Sequence, residues 1–217
     1  MSNRIAFYIT KEELEAFFQI STDQESLYTA HYNLAPGQRI PLICRRGDEI
    51  ELTRARWGFG DFDPGSTQHE ISGEEALEGI QSGKLERVVI PVSGYYLWKQ
   101  SGKRAKYPFF VRMLHLPVMA LAGVSASEGQ EDGRNVRTCA LLKTESNALI
   151  QPLSADMPLQ CTAEHALQWL DPETSAENLL EEMTNRFSLT DLTVHRVSDK
   201  VNDLSANNPK LVQPLPK

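Results

Sequence analysis

Apolar residues in this chain fall mostly into short runs of strand length, and helical stripes are few. Runs at 40–44, 51–57, 87–92, 107–114, 118–124, 136–142 and 192–197 are rich in β-branched and aromatic residues and are closed by turn residues. Helical spacing predicts five short helices, over 11–20, 74–81, 144–149, 162–170 and 174–184. Thr10 with Glu13 forms a capping box ahead of Leu14, Phe17 and Phe18, and Asp171-Pro172 ends the fourth helix. Segment 1–9 is expected to be held in place by the first helix. Segment 32–37 reads as turn-rich, 58–73 as a loop, 128–133 as a polar hairpin tip, 151–159 as irregular, and the tail as polar and proline-bearing. Strands outnumber helices and do not alternate regularly with them. That pattern predicts an α+β fold over one domain, 1–217.

The densest apolar stretch is Arg-Val-Val-Ile-Pro-Val-Ser-Gly-Tyr-Tyr-Leu-Trp at 87–98. It reads as a buried strand, a sharp turn at Ser93-Gly94, and four large side chains directly after it. Those four either begin the next core strand or wall a pocket.

Composition narrows the options. A chain of 217 residues with 41% hydrophobic residues can bury a sizeable core. The longest apolar stretch, 116–124, is far too short to span a membrane, and no signal peptide is visible, so a cytoplasmic protein without membrane contact is expected. The net charge of −7 argues against a generally basic surface that coats nucleic acid, although a local basic groove is compatible with it. Cys44, Cys139 and Cys161 are widely separated and read as reduced, buried side chains. His31, His69, His115, His165 and His195 show no metal-ligand spacing, and no cofactor is expected. Nucleotide-binding loops, zinc-protease motifs and serine-hydrolase elbows are all missing from the sequence.

Ile90-Pro91-Val92-Ser93-Gly94-Tyr95-Tyr96-Leu97-Trp98 resembles the central motif of the SOS response-associated peptidase family. Further blocks occur in that family's order: Tyr32-Asn33-Leu34-Ala35-Pro36, Arg56-Trp57-Gly58-Phe59, Ala122-Gly123-Val124, Met157-Pro158, Trp169-Leu170, His195 to Ser198 with Val201-Asn202, and Leu211 to Pro214. The resemblance implies a compact α+β fold with a barrel-like mixed core and peripheral helices. It also implies a site in which a cysteine at position 2 captures abasic sites in single-stranded DNA through its α-amine and thiol, helped by an Asn, a Glu and a His.

This sequence departs from that pattern at each catalytic position. Ser2 stands where the family has Cys, Leu97 where it has Glu, and Ser154 where it has His. The family's Asn block has no counterpart, since no Asn occurs between Asn33 and Asn135. A serine hydroxyl cannot replace the soft thiol, and leucine cannot move a proton. Removal of Met1 leaves a Ser2 α-amine able to form a reversible Schiff base. Arg4 matches a family arginine near the DNA backbone, and Tyr95, Tyr96 and Trp98 serve either core packing or base stacking.

The expectation is a degenerate family member associated with the DNA damage response. It keeps weak or reversible binding of single-stranded or abasic DNA through Arg4, Tyr95 and Trp98, without peptidase or durable cross-linking activity. The alternative is a protein-interaction module in which Asp61, Asp63, Glu70, Glu74, Glu75, Glu78 and Asp156 have made the old groove acidic. A third reading is a hydrolase that uses Ser2 as an N-terminal nucleophile.

Overall fold

The computed structural model describes residues 3–21, 25–60, 67–101, 105–131, 134–184 and 191–216. Among them the chain opens with β1 (Ile5–Phe7), α1 (Lys11–Phe18), β2 (His31–Leu34), β3 (Arg39–Arg46), β4 (Glu49–Trp57), β5 (Glu70–Ser72) and α2 (Gly73–Gln81). Strands β6 (Glu86–Val92), β7 (Gly94–Ser101), β8 (Ala105–Met113), β9 (Met119–Glu131) and β10 (Arg134–Glu145) follow. The last part holds β11 (Asp156–Pro158), β12 (Gln160–Cys161), α3 (Ala163–Leu170), α4 (Ala176–Thr184) and β13 (Leu192–Arg196), then two 3-10 turns. The fold is α+β, as the pattern of short runs predicts. None of the helices among the described residues is long and apolar enough to cross a membrane.

The strands form two sheets, one of five strands in the order β13-β8-β7-β1-β2 and one of eight. In the larger sheet β4, β3, β6, β9 and β10 pair in succession, and β10 returns to β4 through a short parallel contact at Thr138/Arg56 and Cys139/Trp57. The sheet therefore curls round its own interior in a barrel-like way. Helix α3 packs on it, and the Trp169 indole donates to the carbonyls of Val88 and Gly123 at 3.1 and 3.0 Å. Capping boxes at Thr10/Glu13 and Ser72/Glu75 start α1 and α2.

The turn expected at Ser93-Gly94 is a corner between the sheets. β6 pairs with β3 and β9 on one side of it, and β7 pairs with β8 and β1 on the other. β1 pins the corner: Ser93 N donates to the Ala6 carbonyl at 2.8 Å, and Ser93 Oγ accepts from Tyr8 N at 2.9 Å. A Cβ on Gly94 would lie 2.4 Å from the Val111 carbonyl oxygen and 2.5 Å from the Phe110 ring, so only glycine lets β8 approach this closely.

Five local expectations fail, the first being the loop over 58–73, which contains β5 paired with β10. Residues 1–9 are not merely held by α1, because Ile5–Phe7 is a strand inside the five-stranded sheet. The turn-rich reading of 32–37 misses β2, which pairs with β1. No helix forms over 144–149: Thr144 and Glu145 complete β10 against Met157 and Asp156, and Asn147 Oδ1 then accepts from Leu149 N and Ile150 N, folding a local turn. The irregular segment 151–159 contains β11. The polar tail is also anchored, with Val201 and Leu211 buried.

Candidate functional site

Register brings the start of the chain to the aromatic run. Ile5 lies opposite Tyr95 and Ala6 opposite Gly94, and Tyr96 N donates to the Arg4 carbonyl at 3.0 Å. Strand alternation then divides β7 between two faces. Tyr95 and Leu97 join the main core, whereas Tyr96 enters a second, smaller core with Ala6, Phe110, Val197, Val201 and Leu211, against which Trp98 packs. At this edge a cavity of about 420 Å³ opens, lined by Asn3, Arg4, Leu97, Trp98, Lys106, Leu153, Ser154 and Asn202.

Arg4, Leu97, Trp98 and Ser154, singled out from separate parts of the sequence, thus line one cavity. Ser2 lies outside the described residues. Tyr95 does not reach the cavity: it is 0% exposed, its hydroxyl lies 3.5 Å from Gln160 Nε2, and burial pushes its phenol pKa up. It therefore packs the core and has no free face for a base, which corrects the stacking role expected for it. Lys106 was missed. A signal for it exists, because 87–127 contains Arg87, Lys99, Lys103, Arg104, Lys106 and Arg112 and no Asp or Glu, a basic island in an acidic chain.

Among the described residues the cavity is lined by two cations, an indole, amides, a hydroxyl and apolar side chains. Arg4 is half-buried, its Nη1 donates to the Asn3 carbonyl at 2.7 Å, and burial lowers its pKa. A guanidinium still remains a cation at neutral pH. Leu97 is 1% exposed and forms an apolar wall. Ser154 donates from Oγ to the Asp156 carbonyl at 2.7 Å, and its N–H donates to the Ile150 carbonyl, so both groups serve the local turn. The Trp98 indole donates to Asn202 Oδ1 at 2.9 Å, which fixes the ring at the rim. No carboxylate or imidazole lines the cavity among the described residues.

A network of buried hydrogen bonds supports the site from below. Asn33 is fully buried and donates from Nδ2 to the carbonyls of Val201, Asp203 and Ala206 at 3.1, 2.9 and 3.3 Å. It clamps the C-terminal segment that presents Asn202. Tyr96 donates its hydroxyl to the Tyr32 carbonyl at 2.6 Å, and Tyr32 stacks on Tyr8 with ring centroids 5.2 Å apart.

Other candidate groups lie elsewhere. Cys44, Cys139 and Cys161 are free and buried, and burial raises each thiol pKa, that of Cys161 to about 12, so none replaces a reactive thiol at the cavity. Glu70 pairs with Lys143, Glu75 caps α2, and neither they nor Glu74, Glu78 and Asp156 line the cavity. Asp61 and Asp63 lie outside the described residues. Among the described residues no group of three His, Cys, Asp or Glu side chains is placed to hold a metal ion.

Comparison with known proteins bears on the family and the fold. The family model described as SOS response associated peptidase (SRAP) matches residues 1–204. The chain is similar to the abasic site processing protein YoqW of Bacillus subtilis, at 26% identity over 208 residues, covering 90% of this chain and 92% of that protein. The abasic site processing protein YedK of Escherichia coli is 22% identical over 232 residues, covering 99% and 100%. Among solved structures, a Bacteroides thetaiotaomicron protein superposes with a TM-score of 0.81 at 19% identity, covering 98% of this chain and 99% of that one.

Proposed function

This chain belongs to the SOS response associated peptidase (SRAP) family, whose curated relatives are named for abasic-site processing, and we propose that its cavity binds abasic single-stranded DNA reversibly. Peptidase activity and durable cross-linking through the chain terminus are absent in this reading. One observation carries it: Arg4 and Lys106 line the cavity beside the Trp98 indole, with no carboxylate among the described lining residues. Two cations attract the phosphates that flank a lesion, and an indole offers a face for a neighbouring base. Leu97 and Ser154 stand at the positions of the family's acid and histidine, and neither supplies the proton transfer that peptide hydrolysis or processing of a cross-link requires. The acidic side chains that would favour an interaction module lie away from the cavity or outside the described residues, so the DNA reading is preferred.

The test is fluorescence anisotropy of the full chain with single-stranded DNA, abasic and intact, across a salt series. Two phosphate contacts predict a slope of log affinity against log salt of about −1.4, and Arg4→Gln should reduce it by about 0.7. A slope near zero overturns DNA binding. An adduct that survives denaturation without any added reductant overturns reversibility.

A further inference from the structure

We infer that Lys106 is an aldehyde-capturing amine of this cavity, taking the C1′ carbonyl of an abasic sugar as an imine on its Nζ. The inference rests on the DNA reading above and adds a nucleophile to it. Lys106 is the second residue of β8, opposite Gln100 of β7, so its backbone is fixed in the sheet while its side chain is exposed to the cavity. Among the described residues no carboxylate pairs with it.

The other lining groups cannot do this chemistry. The Arg4 guanidinium keeps its proton. Ser154 directs its hydroxyl to the Asp156 carbonyl, and the thiols are buried elsewhere. Lys106 is thus the one side-chain amine among the described lining residues, and a lysine amine condenses with a carbonyl.

The step balances without a further reactant. The ammonium first gives a proton to water, and the free Nζ lone pair attacks C1′ while the carbonyl π pair moves to oxygen, which takes up one of the two protons on the now cationic nitrogen. The carbinolamine hydroxyl then leaves with the remaining nitrogen-bound proton as water, and the C=N bond forms. Leu97 and Leu153 contribute apolar walls, and among the described lining residues no carboxylate or imidazole is placed to remove the C2′ proton. The imine is therefore expected to revert to amine and aldehyde without cleavage of the DNA strand.

The full chain is incubated with single-stranded DNA carrying one abasic site, and sodium cyanoborohydride is added to reduce the C=N bond to a stable amine. The adduct is quantified on a denaturing gel, normalised to DNA bound without reductant, and located by peptide mass spectrometry. The expected result is an adduct on the Lys106 peptide, an intact strand, and at least a tenfold lower trapped fraction for Lys106→Arg and Lys106→Met. An adduct confined to the N-terminal peptide, or undiminished trapping in both variants, overturns the role of Lys106 and leaves DNA binding standing. Failure to bind the DNA at all overturns both.

Discussion

Tyr96 and Leu97 are neighbours in β7, yet they face different cores, and the two regions they enter are built by different rules. On the Tyr96 side polar groups are engaged: Asn33 holds three carbonyls, Tyr96 holds Tyr32, and Ser93 locks the sheet corner to β1. At the cavity, where Leu97 supplies an apolar wall, the described lining groups are cations, the Trp98 indole, a spent hydroxyl and amides. The buried clamps at Asn33, Tyr96 and Ser93 therefore do not depend on the side chains of Leu97, Lys106 and Ser154. A leucine at position 97 costs the architecture nothing, because a buried apolar side chain needs no partner, whereas a buried carboxyl there must be desolvated. That separation leaves the buried clamps independent of the side chain at position 97.

Substitutions test the contrast, from the largest expected effect to the smallest. Gly94→Ala forces a Cβ against the Val111 backbone and should cost about 3 kcal/mol or more in chemical denaturation. An unchanged midpoint would mean that the corner is not the rigid hinge between the sheets. Asn33→Ala strips three carbonyls of their buried donor, and a loss of about 2–3 kcal/mol is expected, together with faster proteolysis of the C-terminal segment. Tyr96→Phe removes one short hydrogen bond to Tyr32 and should lower stability by about 1–1.5 kcal/mol. Ser154→Ala, on the cavity side, should cost less than about 1 kcal/mol, since its hydroxyl serves only a half-buried turn. Stability losses at Ser154 as large as those at Asn33 would erase the distinction between the two regions.

Much of this division is legible in the sequence, but unevenly. The family blocks carry the fold, and they turn out to be structural clamps: Asn33 in the Tyr-Asn block, Trp57 donating to the His69 carbonyl at 2.8 Å, Gly123 and Trp169 meeting across the barrel-like sheet. The same blocks locate Leu97 and Ser154, which line one cavity with Arg4 and Trp98. Tyr95 was misassigned because alternation along a strand separates neighbours without saying which face is wet. Lys106 was missed because its partners in the cavity come from β1, β7 and the segments near 153 and 202. The helix expected at 144–149 failed because its apolar spacing is real but short, and strand pairing with β11 together with the Asn147 turn outcompeted it.

The sequence by itself determined what local forces settle: β-rich runs, the capping box at Thr10, the end of α3 at Asp171-Pro172, and a turn glycine at 94. Each of these depends on residues within a few positions of one another. Only the tertiary structure decided that the 93–94 turn joins two sheets, that β1 lies between β7 and β2, and that Arg4, Leu97, Lys106 and Ser154 meet. Those outcomes depend on strand register and on which face is buried, and a shift of one residue in register would move every side chain of β7 to the other core.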